Sequence, residues 1–271
     1  MHAWFTALRV LVSLVFLTYA SWSDYRTREV SNRVWMLYGP VALILSLVDF
    51  MLYEPTRLPF FGLSLGVTTT IAIVLFYSGG FGGADSKALM CIALALPFSI
   101  EARFMPLIPA GISPLSQILF PVTIFSNGVL FAAATGLYML LYNAIWHKKT
   151  GRKAFEGTLA QESLGKKLLA VVTGHKMLIT ELKKKWHIYP MEDVEEETVS
   201  GQLKRSLVVI PRDEGRDEIV ERLSKAVSSG KISDYIWATP GLPMLIFITL
   251  GLVVSLLFGD IVWILVTSIL G

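Results

Sequence analysis

The stretch "GGFGGADSKALM" at residues 79–90 places four glycines, an aspartate and a lysine in an otherwise apolar part of the chain. Apolar runs flank it on both sides, at about residues 60–77 and 88–100. About 20 apolar residues are enough for a helix to cross the hydrocarbon core of a bilayer. The pattern therefore predicts membrane helices joined by short polar breaks, with Asp85 at the start of one of them.

The composition of the whole chain agrees with a membrane protein. Of its 271 residues, 54% are hydrophobic and only 17% are charged, whereas soluble domains carry about 25% charged residues. The single cysteine, Cys91, excludes an internal disulfide and a cysteine-rich zinc site, and the four histidines lack metal-binding spacing. We therefore expect an integral membrane protein with no metal and no other cofactor. We expect membrane lipid, and no nucleic acid, among its partners.

Six apolar segments are predicted to be transmembrane helices, because lipid offers no hydrogen-bonding partner to a free backbone N–H or C=O group. The fourth segment gives the weakest prediction, since it is short and contains Pro97. The six segments lie at about residues 5–22, 34–52, 60–77, 88–100, 119–146 and 242–270.

A polar insert at residues 147–236 separates the fifth and sixth segments. Its acidic run at 191–197 either attracts a basic substrate or, more simply, forms a solvated turn. Helix patterns at 161–172 and 217–228, and a strand pattern at 206–211, favour a mixed fold. We therefore predict an all-α membrane protein with about six helices and a small α+β cytoplasmic subdomain between helices 5 and 6. The predicted domains are residues 1–146, 147–236 and 237–271.

The positions of lysine and arginine predict the orientation, because cytoplasmic loops carry an excess of these residues. Basic residues follow the first segment, at Arg26, Arg28 and Arg33, and the third segment, at Lys87. The fifth segment is followed by "HKKTGRK" at 147–153. Loops 1, 3 and 5, and with them the insert, are therefore predicted to lie on the cytoplasmic side of the cell membrane. Both chain termini are predicted to lie outside.

Several charged residues near the membrane have a simple interpretation. Asp49, Glu54 and Glu101 lie near outer loop ends, where we expect water to reach them. Asp260 is about 18 residues into the sixth segment, and at about 1.5 Å per residue this places it near the outer interface. Arg9, inside the first segment, is expected to extend its charged end to the interface.

Asp24 and Asp85 differ from these residues. Asp24 ends the first segment and Asp85 precedes the fourth, so the predicted orientation puts both at the same depth on the cytoplasmic side. Two close carboxyl groups cannot both ionise easily. An ionised one can take a proton from water while a protonated one donates to a carbonyl oxygen, as in aspartic proteases. The chain has no GxSxG motif and no P-loop that would indicate other chemistry.

Other interpretations of the two aspartates stay open at this point. Each could cap a helix or lie among lipid head groups, since acids are favoured at helix N-termini. A small proton-coupled transporter or channel could use them as a relay, although the repeats typical of many transporters are not evident in the sequence. A scaffold whose insert recruits a partner is a third possibility. The glycines before Asp85 favour a site moderately, because glycine permits close approach of another backbone.

The region around Asp85 resembles the GxGD signature of the type IV prepilin peptidase family of membrane aspartyl proteases. The matching residues are Gly82, Gly83, Ala84 and Asp85, continued by Lys87 in an Asp-x-Lys pattern. The third signature position holds alanine instead of glycine. A mechanism that required a left-handed residue directly before the aspartate would therefore not fit, because positive φ is unfavourable for alanine.

Two further stretches extend the resemblance over most of the chain. "SWSDYRTREVSNRVW" at 21–35 resembles the family element in which an aspartate, here Asp24, ends the first helix. The insert followed by "IWATPGLPMLIFITLG" at 236–251 is similar to the archaeal preflagellin and prepilin peptidase branch. Bacterial members usually carry two CxxC pairs and also methylate the new N-terminus. These pairs are absent here, so the resemblance does not imply methylation.

The resemblance implies an aspartic endopeptidase with Asp24 and Asp85 as its catalytic pair. Its substrates would be precursors of archaellum or type IV pilus subunits, each with a short basic leader followed by a hydrophobic helix. Cleavage would fall between leader and helix at the cytoplasmic membrane face, where both aspartates are predicted to lie. Lys87 would either orient the pair or contact lipid phosphates.

Overall fold

The computed structural model describes residues 2–79, 81–100, 106–196, 203–208, 215–241 and 243–270. Its contacts divide the chain into two compact units. The first unit consists of Met1–Ala132 together with Pro243–Gly271, and the second of Ala133–Leu242. One long helix continues through the boundary at Ala132. The predicted domain boundaries near 146 and 237 stay predictions of where the chain leaves the membrane.

Helices form most of the described chain, as the apolar segments predict. A side-chain cap begins some of them: the Ser31 side chain accepts the Arg33 N–H at the start of the second helix. The helices are α1 (His2–Thr27), α2 (Asn32–Tyr53), α3 (Leu58–Tyr77), α4 (Gly83–Ala95), α5 (Pro114–Ile118), α6 (Phe120–Thr150), α7 (Leu164–Thr173), α8 (Ile179–Lys184), α9 (Arg216–Ser228), α10 (Met244–Phe258) and α11 (Ile261–Leu270).

Four stretches of the described residues are helical, long and apolar enough to cross a membrane: α1, α2, α3 with the short turn before it, and α6. α10 and α11 together give a fifth candidate that is bent by 62°. The fourth predicted segment forms α4, which has only 13 residues. A bilayer crossing needs about 20 residues. The structure therefore fits a multi-pass membrane protein, and the count of six spans stays a prediction.

Small residues let the helices of the first unit approach closely, as is usual in membrane bundles. Ala20 of α1 and Ala88 of α4 are fully buried in one apolar cluster. α6 and α10 also touch through their backbones, since a Cβ added to Gly128 would lie 2.8 Å from the carbonyl oxygen of Phe247. Larger side chains at these positions would push the helices apart.

A buried ion pair joins α1 and α2. The Arg9 guanidinium donates to the Asp49 carboxylate at 2.7 Å, and the two side chains are 5% and 0% exposed. His2 lies 2.6 Å from Asp49 and 3.3 Å from the partly exposed Glu54. The predictions that water reaches Asp49 and that Arg9 extends to the interface were therefore wrong, because the two charges compensate each other inside the bundle. Glu101 lies outside the described residues.

Asp260 is buried inside the protein. It stands between α10 and α11 with 3% of its surface exposed. The Ser113 hydroxyl donates to one carboxylate oxygen at 2.7 Å, and the Trp263 backbone N–H donates to the other at 3.0 Å. Asp260 therefore caps α11. The chain bends at Gly259, where φ is 78°, so a depth counted along a straight helix does not apply to Asp260, and its interfacial position stays a prediction.

Asn127 of α6 stabilises the same bend. Its side-chain nitrogen donates to the Ser255 hydroxyl and to the Gly259 carbonyl oxygen, each at 2.8 Å. Its side-chain oxygen accepts the Ile261 backbone N–H at 3.0 Å. A broken helix leaves backbone groups without intrahelical partners, and in an apolar environment such groups need other partners. Asn127 supplies them.

The second unit contains α7, α8 and α9 together with the strands that the structure describes. Strand β5 lies between β1 and β2 in an antiparallel sheet, and β3 pairs with β4 in a separate antiparallel sheet. Leu182, Leu223 and Ile236 are buried between the first sheet and the helices. The strands are β1 (His175–Leu178), β2 (Tyr189–Pro190), β3 (Glu192–Glu196), β4 (Leu203–Leu207) and β5 (Tyr235–Thr239).

The patterns noted in the insert correspond to elements of this unit. The amphipathic pattern at 161–172 corresponds to α7 and the pattern at 217–228 to α9. The strand pattern at 206–211 overlaps the end of β4, while residues 209–211 lie outside the described part. The insert therefore has the mixture of helix and strand that its sequence predicts.

The acidic run at 191–197 forms β3 over Glu192–Glu196, so its interpretation as a solvated turn was wrong for these residues. Glu192 is fully buried, and Arg205 on β4 donates to it through Nε at 3.2 Å. Burial raises the pKa of Glu192, and the Arg205 charge opposes this shift. Asp193 pairs with Arg222 of α9 at 2.6 Å. Much of the acidic charge is therefore used inside the unit.

Candidate active site

Asp24 lies in the last turn of α1, where the sequence predicts it. The chain leaves the helix at Arg28, whose φ of 57° is the one positive value for a non-glycine residue in the described ranges. The Arg28 N–H donates to the Asp24 carbonyl oxygen at 2.9 Å. A left-handed conformation costs an L-amino acid about 1–2 kcal/mol. Other contacts therefore hold this turn.

Two hydroxyl groups hold the chain that follows Arg28. Ser23 Oγ donates to the Glu29 carbonyl oxygen at 2.8 Å, and Thr27 Oγ1 lies 3.0 Å from the same oxygen. These short side chains fold the loop back onto the end of α1. The Asp24 carboxyl group consequently stands on a turn with a defined backbone path, and not on a fraying helix end.

Asp85 lies in the first turn of α4, three residues after the N-cap Gly82. One of its carboxylate oxygens accepts the Gly82 N–H at 3.1 Å, as the acidic residue of a capping box does. Helix capping and a site role for Asp85 are thus compatible. Ala84 lies within the helix and does not have positive φ. Alanine at the third signature position therefore fits the backbone.

The left-handed residue that the structure describes in this region is Gly79, where φ is 76°. It follows α3, and the Phe81 N–H then donates to the Leu75 carbonyl oxygen at 3.1 Å. Ser86 is buried, and its hydroxyl donates to the Ala72 carbonyl oxygen of α3 at 3.2 Å. Gly79 therefore takes part in a tight turn after α3, and Ser86 fixes the start of α4 against α3.

The carboxyl groups of Asp24 and Asp85 are close enough for their charges to interact. Both side chains are partly buried, and α1 and α4 contact each other. Ala20 and Ala88, about one turn from the respective aspartates, are fully buried, which lets the two helices approach. The structure thus brings together the two acidic residues that the argument from membrane depth paired.

Lys87 contacts the loop that follows Asp24. Its Nζ donates to Asn32 Oδ1 at 2.7 Å. Asn32 is the first residue of α2, so this hydrogen bond joins the start of α4 to the connection between α1 and α2. The contact suits the orienting role predicted for Lys87. Contact of the lysine with lipid phosphates stays a prediction.

Sequence reasoning missed several residues that hold these turns. Ser23 and Thr27 are four residues apart on one helix face, next to Asp24, and this spacing was an available signal. Ser86 is a polar residue at the start of an apolar run, which is a weaker signal. For Arg28 the sequence offered no signal, since glycine or asparagine is the usual residue in a left-handed position.

Apolar helices with two interacting carboxyl groups, one at a helix end and one at a helix start, are features of a membrane protein, and paired carboxyl groups are the catalytic groups of aspartic peptidases. Residues 11–145 match the type IV leader peptidase family, peptidase A24. Residues 166–261 match the archaeal peptidase A24 C-terminus type II. The chain belongs to the type IV leader peptidase family, and it is a protease of the aspartic type.

Relatives of the chain match it over nearly its whole length. The preflagellin peptidase of Methanococcus voltae is 26% identical over 264 residues, which cover 92% of this chain and 94% of the relative. The preflagellin peptidase of Methanococcus maripaludis is 21% identical, with 93% and 96% covered. That of Methanocaldococcus jannaschii is 25% identical, with 93% and 94% covered.

Gly82→Ala is expected to lower kcat about tenfold, which corresponds to about 1.4 kcal/mol in the barrier. The added Cβ would lie 3.2 Å from Asp85 Oδ2 and would displace the carboxylate. Gly83→Ala is the matched control, because its Cβ would meet Phe76 at an ordinary 3.7 Å. Single-turnover cleavage rates of the two variants give the measurement. Equal losses in both, or no loss in Gly82→Ala, would contradict the expected displacement.

Proposed function

We propose that this protein is a membrane endopeptidase that removes the short basic leader of preflagellin-like or prepilin-like precursors, with Asp24 and Asp85 as its catalytic pair. The observation that carries the proposal is the interaction of these two carboxyl groups in a chain of the leader peptidase family. Relatives named preflagellin peptidase, aligned over more than nine tenths of the chain, support the same substrate class.

The two carboxyl groups share one proton in the proposed mechanism. Two interacting carboxyl groups favour a state in which one is ionised and the other protonated. The turn at Arg28 and the hydrogen bond from Gly82 hold them in place before a substrate binds. Fixed acid and base groups lower the barrier because little reorganisation is needed when the bond breaks.

Hydrolysis proceeds in two steps that return the pair to its starting state. The ionised carboxylate takes a proton from water as the water oxygen attacks the amide carbon, and the protonated carboxyl group donates to the carbonyl oxygen. The resulting tetrahedral diol then loses a hydroxyl proton to one carboxylate. The other carboxyl group protonates the nitrogen as the C–N bond breaks. The products are the leader with a carboxylic acid end and the mature chain with a free amine.

The cleavage site is proposed to lie at the cytoplasmic membrane surface. The basic residues in the last turns of α1 and α6, including Arg26 and Lys148, support a cytoplasmic position of these helix ends under the positive-inside rule. Asp24 is in the last turn of α1 and therefore lies at that surface. A peptide bond between a basic leader and a hydrophobic helix lies at the same depth, so the hydrophobic helix can stay in the membrane.

Mapping the cut in a panel of precursors tests the proposed function. The protein in lipid nanodiscs is incubated with precursors that carry a basic leader, a leader neutralised by glutamine, or no leader, and the products are identified by mass spectrometry. A single cut between leader and hydrophobic helix is expected, and it should be fastest with the basic leader. A cut inside the hydrophobic helix, or no cut in any precursor, would overturn the proposal.

A further inference from the structure

Helix α7 turns its apolar side outward. Leu164, Leu168 and Leu169 have exposed fractions of 84%, 61% and 50%, although α7 is one of the more amphipathic helices in the chain. At about 100° per residue these three leucines and Gly165 fall on one side of the helix. An amphipathic helix in water buries such a side, so the outward leucines of α7 require an apolar environment.

The polar side of α7 faces the protein instead. Lys166 pairs with Glu162 at 3.0 Å, and Lys167 donates to the Ala160 carbonyl oxygen at 2.6 Å. Ala170, on the same side, is buried. Polar contacts therefore fix the rotation of the helix about its axis. The leucines are therefore exposed because the fold holds α7 in this orientation, and not because the helix is free to rotate.

The C-terminal end of α7 packs along the membrane helix α6. Asn143 Nδ2 donates to the Val171 carbonyl oxygen at 2.8 Å and to the Gly174 carbonyl oxygen at 2.7 Å. At Gly136 the two helices are so close that an added Cβ would lie 2.7 Å from Val172 Cγ1. Both contacts lie within the second unit. α7 therefore ends against the part of α6 between residues 136 and 143.

The length of α6 and its aromatic residues indicate that this part of the helix lies near a membrane surface. At 31 residues α6 is about 46 Å long, whereas the hydrocarbon core is about 30 Å thick. Gly136 is about 24 Å from the helix start at 1.5 Å per residue. Tyr138 and Tyr142 are 64% and 41% exposed just beyond it, and Trp146 follows one turn later. Aromatic residues of this kind mark the boundary between hydrocarbon and water.

We propose that α7 is an in-plane membrane anchor whose leucines insert into the lipid acyl region beside α6. Outward leucines and contact with α6 at the level of its aromatic residues together identify the bilayer as the occupant. The anchor holds the start of the insert at the membrane surface from which α6 emerges. The proposal concerns lipid contact and does not depend on which precursor is cleaved.

Spin labels on the full-length protein in lipid nanodiscs test the anchor. A nitroxide at Leu168→Cys is expected to collide frequently with oxygen, which concentrates in lipid, and at least about fivefold less with a water-soluble nickel chelate than the control does. The control label is at Glu221→Cys on α9, a 66% exposed side chain that should report water. Unsubstituted protein measures any labelling of the buried Cys91. Leu164→Cys provides a second site if the first variant folds poorly.

The two reagents together separate the possible occupants of this face. High oxygen and low nickel access at residue 168 supports the anchor. High nickel access, equal to that at residue 221, would show water and overturn it. Low access to both reagents would show that protein, either a second copy or another partner, covers the leucines, and it would overturn the proposal equally.

Discussion

Asp24→Asn and Asp85→Asn should each reduce precursor cleavage by about 10³-fold or more, within the range for loss of general acid–base groups. Asparagine has nearly the size of aspartate, but it can neither take a proton from water nor donate one to the carbonyl oxygen of the substrate. Both aspartates act in one proton cycle in the proposed mechanism. The double variant should therefore be no slower than either single variant, because groups that act as a unit are not additive.

Single-turnover cleavage of one precursor, together with thermal unfolding in the same nanodiscs, gives the measurement. Asp217→Asn is the matched control, because this side chain is 92% exposed on α9 and its loss should leave the rate unchanged. If either site variant keeps more than a tenth of the activity while staying folded, that aspartate does not belong to the catalytic pair. Additive losses in the double variant would argue against a shared cycle.

Arg9→Met is expected to lower the free energy of unfolding by about 3–5 kcal/mol, the cost of leaving one buried charge without its partner. Asp49 is fully buried and would keep only the contact with His2 among the side-chain contacts described above. Arg9 is 15 residues from Asp24 along α1, or about 22 Å. The cleavage rate per folded molecule should consequently change little, which separates this effect from damage to the site.

Chemical unfolding in mixed micelles measures the loss of stability, and two further variants serve as controls. Arg9→Met combined with Asp49→Leu should recover most of the stability, since two apolar side chains leave no unpaired charge. Lys225→Met breaks the exposed Lys225–Glu221 pair and should leave the free energy of unfolding almost unchanged. A double variant as unstable as Arg9→Met would contradict the account of the ion pair as mutual compensation.

Membrane depth was considered for only one pair of residues, Asp24 and Asp85. Their carboxyl groups interact in the structure, and their common depth stays a prediction. Arg9 and Asp49, on adjacent helices and near the opposite ends of their spans, satisfy the same condition. This second pair was not predicted, because Asp49 was expected to be in contact with water. Opposite charges at equal depth on neighbouring helices predict a buried ion pair. Like charges at equal depth predict a candidate active site in the same way.

Backbone detail in the site was less accessible from sequence. The glycine cluster suggested a left-handed residue near Asp85, but its position, Gly79, could not be chosen from several glycines in a row. The insert revealed its helices through their apolar periodicity, whereas β2 has only two residues and no readable pattern. The bend at Gly259 was also missed, although Gly259 and the helix-capping Asp260 interrupt the apolar run at this point and offered a signal.

The polar junction at Asn127 has a consequence for how the chain assembles during synthesis. Its partners, Ser255, Gly259 and Ile261, are translated more than a hundred residues later, after the whole insert. Until α10 leaves the ribosome and inserts, the Asn127 amide has no settled partner in α6. The nascent protein therefore stays incompletely folded until α10 is inserted, and quality-control proteases can recognise it in this state. Chains truncated before α10 should consequently be short-lived in the cell.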